Sequence, residues 1–289
     1  MIALPAVVVV ALVLLLTGGS DGAGQPGANA AATKVDRFDS ARAWRALKYQ
    51  VALGPRPAGS AKSRELAAYL RERLPRGHYE NVPGGLRNVV GRIKGSKPAI
   101  VVAAHYDTKD LPNFVGANDG AGGTAEVLEL ARALRKVKRP KGAPEVRFVF
   151  FDGEEDTDDS RPFLETGVRG AKAYAARHAK EIRALILLDF VAEKGAMRIP
   201  REASSNLGIW TRLRKAAKRV GSGAAFPDAT QGTVEDDHTP FLQRGVPAVD
   251  LIDFTFPCWH KTCDDLSAVS EHSLDVSGEA VLELLRTWR

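Results

Sequence analysis

The chain has only two cysteines among its 289 residues, Cys258 and Cys263, and neither stands near the N-terminus. An apolar run at residues 2–16 therefore has no cysteine close behind it to carry a lipid, and a lipid-anchored lipoprotein is not expected. Also missing is any Lys or Arg ahead of that run, the first cationic side chain being Lys34, so the charged flank of an ordinary export leader is absent. The run is shorter than the roughly 20 residues that cross a bilayer. A Gly/Ala/Asn-rich tract follows to Ala32 and contains the small-residue triplet Ala28-Asn29-Ala30. Residues 1–34 are thus expected to be a signal peptide or an N-terminal membrane anchor with a linker, and the protein to be exported: periplasmic, extracellular or anchored outside the cytoplasm. The chain further lacks an internal repeat and a basic stripe interleaved with aromatics. Its net charge of +6 is spread over segments such as Arg212-Leu213-Arg214-Lys215, which read as solvated helix faces, so no nucleic-acid partner is expected.

What is present is enough chain, 44% hydrophobic and 26% charged, for one substantial core over residues 35–289. Trp44, Leu47 and Val51 share a helical face that Gly54-Pro55 terminates; Leu66, Leu70 and Leu74 repeat at helical spacing after a possible cap at Ser63, with Pro75 as the stop. Apolar runs at 88–93, 99–104, 146–151, 184–188 and 248–252 predict strands, and the second is too continuously apolar to have a solvated face. Helices are predicted near 122–137, 168–182, 207–220 and 276–288. This alternation implies an α/β fold in a single domain.

The acidic and histidine residues fall at the ends of those strands. His105-Tyr106-Asp107 closes one, Asp119 lies in the loop Gly116-Ala117-Asn118-Asp119-Gly120, Glu154-Glu155 follows Phe150-Phe151-Asp152-Gly153, Asp189 ends a fourth, and His260 follows a fifth. Open α/β sheets bind ligands at such an edge, and imidazole with carboxylate is a donor set for catalytic Zn²⁺. Any one carboxylate after a strand is more often a turn former or helix cap; the coincidence of five carries the reading. The pair Glu154-Glu155 would repel unless a cation or a proton stabilised it. His78, His178 and His272 lie in polar or helical contexts and are read as surface residues, and His238 as a structural donor. Cys258 and Cys263 bracket Trp259-His260 and are either a small disulfide loop or two free thiols.

The order His-x-Asp, Asp, Glu-Glu, Asp, His over residues 40–289 resembles the M28 family of zinc peptidases. Within it, Gly54-Pro55-Arg56-Pro57-Ala58-Gly59-Ser60, His105-Tyr106-Asp107-Thr108-Lys109, Phe114-Val115-Gly116-Ala117, Asp236-Asp237-His238-Thr239-Pro240-Phe241-Leu242, Arg244-Gly245-Val246-Pro247 and Phe256-Pro257-Cys258-Trp259-His260 look like the glutaminyl cyclase branch. That resemblance implies an M28 zinc-exopeptidase-like fold, a three-layer sandwich with a mixed central sheet flanked by helices, that acts on peptide or protein N-termini. It implies one zinc held by Asp119, Glu155 and His260, proton transfer by Glu154, an acidic network of Asp189 and Asp236, and a substrate pocket walled by Trp259 and Phe256. The products would be pyroglutamate and ammonia. The aminopeptidase alternative implies two zincs bridged by Asp119, the second also held by His105 and Asp189, with Asp107 orienting His105. A third alternative is an M28-like binding domain without chemistry. Three positions depart from the cyclases: Asp156-Thr157-Asp158-Asp159 stands where they carry a second pocket tryptophan, Asp250 where the animal enzymes carry a histidine, and Lys261 is inserted after His260.

Overall fold

The computed structural model describes residues 35–195 and 197–289, so the leader or anchor expected in residues 1–34 lies outside the described residues. In chain order the elements are α1 (Ser40–Leu53), α2 (Ala61–Arg73), β1 (His78–Val82), β2 (Leu86–Ile93), β3 (Ser96–His105), α3 (Ala121–Ala133), β4 (Pro144–Phe151), α4 (Phe163–Thr166), α5 (Arg169–His178), β5 (Ile182–Leu188), α6 (Leu207–Val220), α7 (Thr239–Leu242), β6 (Ala248–Leu251) and α8 (Glu271–Thr287). The six strands make one sheet in the order β1-β2-β4-β3-β5-β6. β3, β4, β5 and β6 run parallel, while β2 is antiparallel to β4 and β1 to β2. The sheet is therefore mixed, as the family resemblance implies.

Strand residues alternate between faces, and that period of two divides the core into two layers. Ile100, Val102 and Ala104 of β3, with Phe148 and Phe150 of β4, pack against α1, α2, α3, α6 and α8. Val101, Ala103, Val149 and Phe151 face the opposite way, against Tyr174 of α5 and Phe241 of α7. Both faces of the centre are covered, which is why β3 reads as an unbroken apolar run from Ala99 to Ala104 and β4 as one interrupted only by Arg147. β1 has no such run. Its sequence, His-Tyr-Glu-Asn-Val, buries only Val82, as suits an edge strand, and periodicity alone does not reveal it.

Local signals differ from the sequence reading in three places. The cap of α2 is Ser60, whose side chain accepts from the Ser63 N–H, and Ser63 itself is buried inside the helix. The inward face of α1 consists of Ala43, Ala46, Leu47 and Gln50, with Trp44 and Val51 only partly buried beside it. α8 begins five residues before the predicted start, at a Ser270 cap that accepts from the Ser273 N–H. Among the described residues no helix is long and apolar enough to cross a membrane.

Candidate metal centre and active site

Because four strands run parallel, their C-terminal ends meet at one edge, and the loops leaving that edge deliver the polar residues. His105 is the last residue of β3, Glu154 and Glu155 follow β4, Asp189 follows β5, and His260 comes from the long irregular segment after β6. Asp119 stands just ahead of α3. The turn there depends on Gly120, at φ +90°, where a Cβ would lie 2.8 Å from the Asp107 carbonyl oxygen and 3.0 Å from the His105 ring.

Two groups of ligand-type atoms form around Asp119. His105 Nε2 lies 3.2 Å from Asp119 Oδ1 and 3.6 Å from Asp189 Oδ1. His260 Nε2 lies 3.6 Å from Asp119 Oδ2 and 3.2 Å from Glu155 Oε2. Within each group the ligand atoms are all within 4.8 Å of one another. Both ring nitrogens of His105 and Oδ2 of Asp119 are buried without a hydrogen-bond partner. Orphaned polar atoms on two neighbouring ligand-type residues are costly in the interior and suit a divalent cation with nitrogen and oxygen donors.

Charge reinforces that fit. Burial, opposed by His105 and aided by Glu155, Asp236 and Asp237, pushes the Glu154 carboxyl well above its usual range. Burial and the neighbouring Asp119 push Glu155 up to about 7, against the pull of His260. Asp236 is likewise pushed up to about 7, by burial and then Asp189. Burial alone would lower His105, but the carboxylates of Asp107, Asp119 and Asp189 outweigh it and hold the imidazole well above its ordinary value. Such crowding of negative charge is relieved by protons or by a cation.

A supporting layer holds these side chains. The Asp107 carboxylate accepts from the Glu154 and Glu155 N–H groups at 3.2 and 3.3 Å and lies 3.6 Å from His105 Nδ1. The Lys109 N–H donates to Glu155 at 2.8 Å, and Thr124 Oγ1 donates to the His105 carbonyl at 2.6 Å. The sequence reading assigned no role to two members of this layer. Asp264 accepts from the N–H groups of Asn118 and Asp119 at 2.7 and 3.0 Å, and Arg56, fully buried, donates to the carbonyls of Tyr106, Val115 and Gly116. Arg56 lies in the quoted Gly-Pro-Arg-Pro segment, so a signal existed; the only mark on Asp264 is its place next to Cys263.

The ligand groups open into a cavity of about 440 Å³, a size suited to a small ligand or the end of a peptide. Glu154, Asp189 and Asp236 reach it, and its apolar wall includes Phe163, Phe190, Phe254 and Trp259. Trp259 is 45% exposed and Phe254 41% exposed, with ring centres 5.0 Å apart. Phe254 is a wall residue that the sequence reading did not name. Phe256 does not reach the cavity: it is buried behind the wall, its ring 5.7 Å from that of Phe190. At the rim, Lys109 is held by Asp156 and, at 2.6 Å, by Asp159. His238 is fully buried, 2.9 Å from Ser204 Oγ, 3.5 Å from Glu202 and 3.7 Å from Asp250. With Asp236 and Asp250 it forms a third ligand-type group beside the cavity. His78 and His272 are exposed and His178 partly so, pairing with Glu80 at 2.9 Å. Cys258 and Cys263 form a disulfide.

A three-layer α/β sandwich with carboxylates and imidazoles gathered at the C-terminal sheet edge defines a metallo-exopeptidase type of architecture. The chain belongs to peptidase family M28, whose model matches residues 88–285. It is similar to a glutaminyl-peptide cyclotransferase of Drosophila melanogaster, at 31% identity over 61% of this chain and 57% of that protein. The chain thus spans less than two thirds of the length of that curated relative. Among solved structures it resembles a glutaminyl cyclase of an Acidobacteriales bacterium, with a TM-score of 0.74 and 31% identity over 91% of this chain and 97% of that one. It also resembles a leucine aminopeptidase precursor from Bacteroides thetaiotaomicron, with a TM-score of 0.77 and 27% identity over 89% of this chain and all of that one.

Proposed function

We propose that the chain is a zinc-dependent glutaminyl-peptide cyclotransferase, converting an N-terminal glutamine to pyroglutamate with release of ammonia. The observation that carries this reading is Trp259, a large ring left exposed on the cavity wall and 4.7 Å from the ring of His260, where it can cover a substrate side chain beside the ligand group. The likeness over nearly full length to a bacterial glutaminyl cyclase supports it. Asp119, Glu155 and His260 would hold the ion, which supplies a Lewis acid for the substrate's side-chain amide carbonyl. Glu154, raised in pKa and facing the cavity, accepts the proton of the attacking α-amine. The amine nitrogen bonds to the amide carbon, the carbon–nitrogen bond to the leaving group breaks, and Glu154 returns the proton to ammonia. Asp189 and Asp236 line the same cavity and would supply the acidic hydrogen-bond network beside Glu154.

A second reading has its own observation. His105, Asp119 and Asp189 form a second ligand group sharing Asp119 with the first, as an M28 aminopeptidase with two ions needs. In that reading Glu154 takes its proton from the attacking water. Either way, residues 35–289 are the catalytic domain behind an export leader or anchor, and the Cys258–Cys263 disulfide suits an oxidising compartment.

The test is to incubate the zinc-loaded protein, with Glu154→Gln as control, with matched peptides beginning with Gln and with Leu, and to read products by mass spectrometry. Loss of one ammonia from the Gln peptide alone, absent in the control, is the expected result. Release of a free N-terminal residue would refute the cyclase reading in favour of the peptidase, and no turnover of either would leave a binding domain.

A further inference from the structure

The segment after β6 carries a ligand-type histidine with no helix or strand beneath it. Residues 252–270 are turns and bends, and His260 itself sits at φ +52°, a left-handed conformation that non-glycine residues seldom adopt without being held there. The backbone bonds around the histidine are turn bonds: Trp259 N–H to Phe256 O at 3.4 Å, Lys261 N–H to Cys258 O at 3.0 Å and Asp264 N–H to Lys261 O at 2.9 Å, with Lys261 Nζ on Pro257 O at 2.8 Å. The Cys258–Cys263 disulfide closes this stretch into a ring around Trp259, His260, Lys261 and Thr262.

The residue directly after the ring is Asp264. Its carboxylate holds the N–H groups of Asn118 and Asp119, and its carbonyl accepts from the Ala117 N–H at 3.2 Å. One side of the ring thus presents His260, and its exit fixes the loop that presents Asp119, about 140 residues earlier in the chain. Asp119 and His260 face each other at 3.6 Å. The His260 ring is half-buried; apart from Glu155 at 3.2 Å, its ring neighbours are Phe114, edge-on at 5.9 Å, and Trp259 of the same ring of residues at 4.7 Å.

We propose that the Cys258–Cys263 disulfide is a positioning clasp for the cation site, setting His260 in its left-handed turn and coupling it through Asp264 to Asp119. The clasp touches neither substrate nor ion; it acts by limiting where the imidazole can go. The inference rests on the reading of His260 as a metal ligand. Groups that orient a ligand from behind typically alter metal affinity roughly 10–100-fold when removed, and the same is expected here. Trp259 rides in the same ring, so the cavity wall loosens with it.

The experiment measures zinc affinity by chelator competition on the full chain, comparing wild type, His260→Ala and the double variant Cys258→Ser/Cys263→Ser. Serine is used because free thiols would themselves bind zinc. Amide hydrogen exchange of the metal-free proteins runs in parallel. The expected result is zinc binding weakened roughly 10–100-fold in the serine pair, with faster exchange confined to residues 254–264 and 116–120 and protection retained in β3 and β5. Should the serine pair fail to fold, native wild type is reduced with a phosphine and capped with iodoacetamide. The phosphine takes oxygen from water, the two sulfurs gain two electrons and two protons, and each thiolate displaces iodide. The same loss of affinity is expected in the capped protein. Zinc bound within twofold of wild type by the serine pair or the capped protein, while His260→Ala binds poorly, would overturn the clasp alone. Unchanged affinity in His260→Ala would overturn the ligand reading and the clasp with it.

Discussion

Arg56 is the largest side chain the fold buries completely, and replacing it by methionine tests whether the loops at the sheet edge are held from beneath. Its Nε and Nη2 donate to the carbonyls of Tyr106 and Gly116 at 3.1 Å each, and Nη1 donates to Val115. Burial lowers its pKa to about 10 while Asp264, Asp107, Asp119 and Glu155 hold it up, so it remains a cation at neutral pH. Methionine keeps most of the packing volume but leaves three carbonyls without their donor. A buried acceptor left unpaired costs about 1–3 kcal/mol, and three carbonyls lose a charged donor at once, so Arg56→Met is expected to lose about 4 kcal/mol. For a protein of this size that is a Tm lower by roughly 10 °C. Arg56→Lys retains the charge but not the planar fork, and should fall between the two. The assay is thermal and urea unfolding of metal-depleted protein followed by circular dichroism. A loss below about 1 kcal/mol for Arg56→Met would refute the reasoning.

Two further predictions follow from the packing and the charges. Gly123→Ala would put a Cβ 2.0 Å from the Leu188 carbonyl oxygen, so α3 must move off β5, with a loss of about 3 kcal/mol; since Asp189 follows Leu188, zinc affinity should fall as well. An unchanged Tm in a thermal melt would show that the contact is not tight. Burial, then Asp253, pushes Glu193 up to about 7. The folded protein therefore keeps a proton that the unfolded chain gives up above about pH 4.5, and stability is lost as pH rises toward 7. Glu193→Gln should match wild type at pH 4 and exceed it at pH 8 by roughly 1–2 kcal/mol, discounted for a half-exposed group. Equal melting temperatures at both pH values would contradict that sign.

The sequence by itself determined most of the scaffold and the residue types gathered at one sheet edge. The continuous apolar run at 99–104, and the run at 146–151 broken only by Arg147, are what strands buried on both faces look like, and α6 spans the predicted 207–220. The residue types at the strand ends, His105, Asp119, Glu154, Glu155, Asp189 and His260, could be listed as metal-type ligands because a parallel sheet sends all its C-terminal loops to one edge. Periodicity, however, reports only the face a residue turns toward, not which distant loop it meets there. Edge strand β1 escaped because one buried valine leaves no pattern, and Phe256, apolar and near Trp259 in sequence, lies behind the wall that Phe254 completes. Asp264 looks like any loop aspartate until folding brings it, 146 residues along the chain, onto the Asn118 N–H. Tertiary structure alone decided that the two cysteines bridge, that Arg56 lies under the ligand loops, and that Asp119 faces two histidines at once. The last two are long-range juxtapositions of polar groups, and the bridge depends on the path the backbone takes between the cysteines; none is visible to a rule with the range of a helix turn or a strand pleat.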